Sequence, residues 1–264
     1  LAATKAMQEI CKARFEAFGA AGQAGKIIPI SCERMAERYK KGELAAIVKW
    51  SYMRTGLSPY KYKRIAKESM RNALRLHGDS ILLFTSGSFP SAFQLSVLAL
   101  EEFAKAQWVD HCFYSSMTNE GLPDDESEQG WLSLLYSHPE KQFAFVARDI
   151  FEFSPKLVQF IKSKKLEKKK QQAVYVGLER HKGKIDTTSR ISTPMRIKEP
   201  DARQIISLVN QEFIDIFNLI AQNDGCFRIP ELDTVINPNE HRFIFTWPHK
   251  SGLKSRRFRK QHTM

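Results

Sequence analysis

Residues 71–105, RNALRLHGDSILLFTSGSFPSAFQLSVLALEEFAKA, read as two helices joined by a Thr-Ser-Gly-Ser turn. On the second helix Leu95, Leu98, Glu102, Lys105 and Val109 fall at helical spacing and share one stripe. A carboxylate and an ammonium on such a stripe are costly to bury unless they pair or bind something. The helices must therefore pack side by side, and their packing must accommodate ions.

Other helices follow from the same periodicity. Segments 4–20 and 31–53 read as helical, and Thr55-Gly56-Leu57-Ser58-Pro59 reads as a turn and a boundary. A helix from Tyr60 to Phe84 carries Met70, Leu74, His77, Ile81 and Phe84 on its apolar stripe. Residues 117–130 are acidic and turn-rich and read as an exposed loop. Ser137-His138-Pro139-Glu140 has the form of a capping box, opening a helix over 138–163. After the basic run 162–170 comes an extended piece, AVYVGL. Pro200 opens an amphipathic helix with Ala202, Ile205, Val209, Phe213, Ile216 and Ile220 inward, stopped at Asn223-Asp224-Gly225. Residues 226–248 read as a small β-hairpin ending in RFIFTW. The expected fold class is all-α: an antiparallel bundle over 59–222, a helical N-terminal extension over 1–58, and a basic C-terminal appendage over 223–264.

Hydrophobic residues make up 42% of the chain, enough for a real core, and the net charge of +12 favours an anionic partner such as RNA. The four cysteines, Cys11, Cys32, Cys112 and Cys226, form no CxxC and argue against a zinc site or a disulfide scaffold. No metal or cofactor is expected. No apolar run is long enough to span a bilayer, so the expectation is a reduced, cytoplasmic setting without membrane contact. GAAGQAGK lacks the glycine and the Ser or Thr that a phosphate loop requires.

The pieces NALRLHGDSILLF…GSFPSAFQLSVLALEEFAKA, SHPEKQ and AVYVGL, with the last amphipathic helix, resemble the abortive-infection protein V (AbiV) family of the HEPN superfamily. The likeness covers roughly residues 66–220. It implies an antiparallel HEPN-like bundle, pairing into a homodimer, and a role in bacterial defence against phage. It also implies metal-independent cleavage of RNA by an Arg-polar-spacer-His motif on a late helix. The sequence departs from that motif. Its close match, Arg71–His77, lies on an early helix, and His77 falls on the apolar stripe and reads as a core histidine.

The late-helix candidates are instead His138 and Lys141, one turn apart. RNA cleavage without metal needs a base for the 2′-hydroxyl proton, cations around the phosphate and an acid for the leaving oxygen. His138 suits the base and Lys141 a phosphate contact. Glu102 could orient either, and Lys105 could add a second contact. Arg148 extends the cationic face, and Lys164, Lys165, Lys168, Lys169 and Lys170 form a block suited to phosphates. In the tail, Arg256, Arg257 and Arg259 flank Phe258, a pairing suited to RNA. Three readings stand together. The chain acts on RNA or the translation apparatus, or its charges only lock helices in a dimer that binds a phage or host protein. The third is a nucleotide-binding or regulatory helical domain.

Overall fold

The computed structural model describes residues 56–118, 125–148, 150, 152–178, 180–181, 184–223 and 225–255. The expected helices over 4–20 and 31–53, and Arg256, Arg257 and Arg259, lie outside these residues. The chain divides into two units, residues 57–123 with 131–264, and residues 1–56 with 124–130. Of the latter, Gly56 and the start of helix Asp125–Leu135 are described.

The larger unit is a helical bundle. Helix α1 spans Pro59–Thr85; Ser58 caps it, its Oγ accepting from Lys61 N at 3.3 Å, with Pro59 pre-set for the first turn. Gly87, at φ +78, closes the turn into α2, Phe89–Thr118. These two helices form the antiparallel hairpin that the sequence predicts. The loop expected over 117–130 is helical at both ends, with α2 reaching Thr118 and α3 spanning Asp125–Leu135; after α4 (His138–Ala147), the expected single helix over 138–163 is broken. Proline lacks an amide and disfavours helix in the residue before it, so Ser154 caps a new helix, α5, Pro155–Lys162. Lys164, left-handed at φ 57, separates α5 from α6, Lys165–Gln172.

The extended piece expected over AVYVGL starts late: Ala173 and Val174 continue the turn that ends α6, and the chain beyond them is bridged to Ser192 at Gly177. Strands β1 (Arg180–His181) and β2 (Lys184–Ile185) pair as a short antiparallel hairpin. Helix α7, Glu199–Asn223, then packs across α1 and α2. Phe103 of α2, Phe213 of α7 and Phe145 of α4 meet edge to face at the centre, with centroids 5.2 and 5.9 Å from Phe103. Each ring is fully buried and contributes about 2 kcal/mol or more.

The C-terminal hairpin expected within 226–248 does not form; α8 (Pro230–Asp233) and α9 (Phe243–Thr246) stand there instead. The amides a strand would use are taken by carboxylates. Asp110 accepts from Arg228 N and Ile229 N, and Asp233 from Cys226 N and Phe227 N. RFIFTW curls into one turn that buries Ile244 and sets Phe245 against Phe217. The segment read as an appendage also adds Ile229, Leu232, Val235 and Ile236 to the core. Its last described residues form a strap: Trp247 Nε1 donates to Ser207 Oγ, Gly252 N to Gln204 Oε1, and Ser154 N to Leu253 O. Among the described residues no helix is long and apolar enough to cross a membrane.

Candidate functional site

The turn after α3 brings His138 and Lys141, in the first turns of α4, against the middle of α2. Ser137 stands at the N-cap without a side-chain hydrogen bond, so the capping-box pattern marks the helix start but not its bonding. The neighbour of His138 is Glu101, not Glu102. His138 Nδ1 lies 2.5 Å from Glu101 Oε2. Glu101 is 0% exposed, whereas the His138 side chain is 50% exposed. The carboxylate also accepts from Gln142 Nε2 and Lys170 Nζ, both at 2.8 Å, and Lys141 Nζ stands 3.8 Å away. Burial pushes the Glu101 carboxyl up; the hydrogen bonds from His138, Lys170 and Gln142 and the Lys170 charge outweigh it and hold the group below its ordinary value.

Glu102 sits on the adjoining face, 3.3 Å from Lys141 Nζ and 3.8 Å from Lys105 Nζ. Glu167 accepts from Gln142 and pairs with Lys170 at 2.7 Å. Three carboxylates (Glu101, Glu102, Glu167) thus face three ammoniums (Lys105, Lys141, Lys170). The cluster is neutral apart from His138. An Nδ1–H donated to Glu101 leaves Nε2 as the nitrogen able to take a proton.

The other sequence candidates go elsewhere. Arg148 lies over the rings of Phe103, Phe145 and Phe153 and is held by Glu212 and Gln107. Lys169 pairs with Asp201 at 2.6 Å, and Lys170 is inside the Glu101 cluster. Lys164, Lys165 and Lys168 are exposed on and beside α6. His77 is fully buried between Phe213 and Phe243, its Nε2 2.9 Å from Asn210 Oδ1. Burial pulls its pKa down to about 4 despite the Asn210 bond. Arg71, six residues earlier, is exposed and pairs with Glu68, so the Arg71–His77 match does not assemble into one site within this chain.

Glu152, Glu212 and Asp215 bring carboxylate oxygens close enough for a cation. Lys254 Nζ occupies that position, 2.5, 3.0 and 2.5 Å from them. Sequence reasoning missed Glu101, Gln142, Glu167 and the inward turn of Lys170. A signal existed: Glu101 follows Val97 by four residues, and Lys170 follows Leu166 by four, each a charge on a buried stripe.

A short stretch of the chain is similar to fructose-bisphosphate aldolases. The likeness to the Pseudomonas aeruginosa enzyme is 62% identity over 40 residues, 15% of this chain and 11% of the aldolase. That to aldolase 2 of Rhodobacter capsulatus is 56% over 43 residues, 16% of this chain and 38% of the other. The chain spans from about a tenth to two fifths of the length of these relatives, and no activity follows from so short a match. No solved structure matches the chain. A family model covers a longer part of the chain. The HEPN family model AbiV covers residues 61–214, from the first turn of α1 well into α7, and so takes in the Glu101–His138 pair. With a mostly helical fold and more than half its length matched, the chain belongs to the AbiV family of HEPN-superfamily abortive-infection proteins.

Proposed function

We propose that this AbiV protein acts on RNA, cutting it at the Glu101–His138 pair without a metal ion. The observation that carries the reading is the contact between a fully buried carboxylate and a half-exposed imidazole. Glu101 fixes the ring with Nδ1 protonated, and Nε2 takes the proton of a 2′-hydroxyl. The freed 2′-oxygen bonds to phosphorus as the bond from phosphorus to the 5′-oxygen breaks. The Lys105 ammonium gives a proton to that leaving oxygen, and Lys141 balances charge on the phosphate. The products are a 2′,3′-cyclic phosphate and a 5′-hydroxyl. Imidazolium and amine then exchange protons with water. Free RNA and RNA of the translation apparatus present the same groups. The reading includes pairing of two copies and action in the cytoplasm.

Incubation of total RNA with wild type and His138→Ala, with and without EDTA, tests it. Cleavage by wild type in chelator, cyclic-phosphate ends, and loss of cleavage in His138→Ala are expected. Intact RNA in every lane contradicts it.

A second reading rests on a separate observation. Tyr175, Val176, Ile185, Ile191 and Met195 are all well exposed in one stretch of chain. Large exposed apolar patches mark interaction sites. In that reading the protein is a non-catalytic dimer that binds a phage or host protein, and the ions lock helices. Co-purification with such a protein, with RNA left intact, would support it.

A further inference from the structure

We infer that the RNA entering this site is single-stranded, laid in the groove between α1 and α2, with the base beside the cut stacked on Tyr136. The inference rests on the RNA-directed reading above and specifies its substrate. Tyr136 precedes His138 by two residues and is 69% exposed. Its ring lies 5.2 Å from Lys105 Nζ. Single exposed aromatics are ordinary; this one lies against Lys105, a residue that lines an open groove of about 550 Å³. Lys61, Arg64, Glu68 and Asn72 of α1 line that groove, with Glu102 and Lys105 of α2.

Charge gives the groove its direction. The Glu101 cluster is balanced and does not by itself draw an anion. Along the groove Glu68 is taken by Arg71, and Glu102 by Lys141 and Lys105. Among the described residues Lys61 has no carboxylate partner, and Arg64 bonds only to the Tyr60 hydroxyl. The net positive charge therefore lies at the end away from His138. Lys61 to Asn72 spans eleven residues, about 16 Å of helix. That is room for more than one phosphate. A duplex keeps its bases stacked on one another, so only an unpaired base can lie on an exposed ring.

The test measures binding of a 2′-O-methyl oligonucleotide, which lacks the attacking hydroxyl, by fluorescence anisotropy. Tyr136→Ala should weaken single-strand binding about tenfold. Tyr136→Phe should bind as wild type does, because the ring remains. Duplex of the same sequence should bind more weakly and show no dependence on Tyr136. Lys61→Gln with Arg64→Gln should lower the salt slope of log affinity by roughly 1.4. If wild type cleaves RNA but Tyr136→Ala and the double variant bind as tightly as wild type, the groove assignment falls and the function stands. Equal losses in Tyr136→Ala for duplex and single strand overturn it too. If wild type neither binds nor cuts RNA, both fall.

Discussion

Glu101 and Lys254 are each a buried ion gathering opposite charges, one at the middle of α2 and the other on the C-terminal strap. Lys254 holds Glu152, Glu212 and Asp215, with Arg148 closing over Glu212 and the aromatic core. Glu101 holds His138, Gln142 and Lys170. The chemistry is alike and the surroundings differ. At Lys254 the strap's backbone bonds to Glu152 and Ser154 seal the cluster. At Glu101 one partner, His138, stays half exposed, and the adjoining Glu102 lines an open groove. A sealed ionic cluster fixes how elements pack. The same cluster with an exposed imidazole can also move a proton. Burial of charge alone does not mark a site; a route to water does.

Variants should separate the two. Lys254→Met leaves three carboxylates facing one another and should cost about 3–5 kcal/mol in urea denaturation, the largest effect. RNA cleavage at a temperature where the variant is folded should persist. Glu101→Gln leaves Lys170 with Glu167 as its remaining carboxylate partner and should cost about 2 kcal/mol. Unlike Lys254→Met, it should also lower cleavage about 100-fold, because His138 loses its anchor.

His77 supplies an uncharged reference on the same bundle. Its pKa is about 4 in the fold and 6.5 as the ordinary value, so the unfolded chain takes up the proton first as pH falls. The stability from its neutral form is present above pH 6.5 and is lost progressively toward pH 4. Urea midpoints at pH 7 and pH 5 should differ by about 2 kcal/mol more in wild type than in His77→Gln. The smallest effect is at Lys164. Glycine adopts its left-handed φ of 57 without strain, so Lys164→Gly should stabilise the fold by about 1 kcal/mol or less. Cleavage should be unaltered.

The long helices were legible because their stripes are long and their ends are punctuated by Ser58-Pro59, the 85–88 turn and Asn223-Asp224-Gly225. The break at Ser154-Pro155 was legible in principle, since a proline there opposes a continuous helix. The false hairpin at 226–248 came from alternation in RFIFTW, which cannot reveal that Asp110, more than a hundred residues away, takes the amides. Within the site, the closeness of Glu102 to Lys141 follows from the stripe, but the choice of Glu101 as the deep carboxylate does not. The two residues differ by about 100° on a helix. Helix α2 is buried on so many sides that no polar face fixes its rotation. Lys170 was hidden for a related reason: in a run of lysines, composition does not tell which one turns inward.

The comparison is tested most directly by cleavage of one defined single-stranded RNA in EDTA by His138→Ala and Lys254→Met, both held well below their melting temperatures. His138→Ala is expected to lose cleavage at a cost of about 1–2 kcal/mol, from the lost hydrogen bond to Glu101, while Lys254→Met loses more stability and keeps cleavage. Activity retained in His138→Ala, or lost in both in proportion to stability, would contradict it.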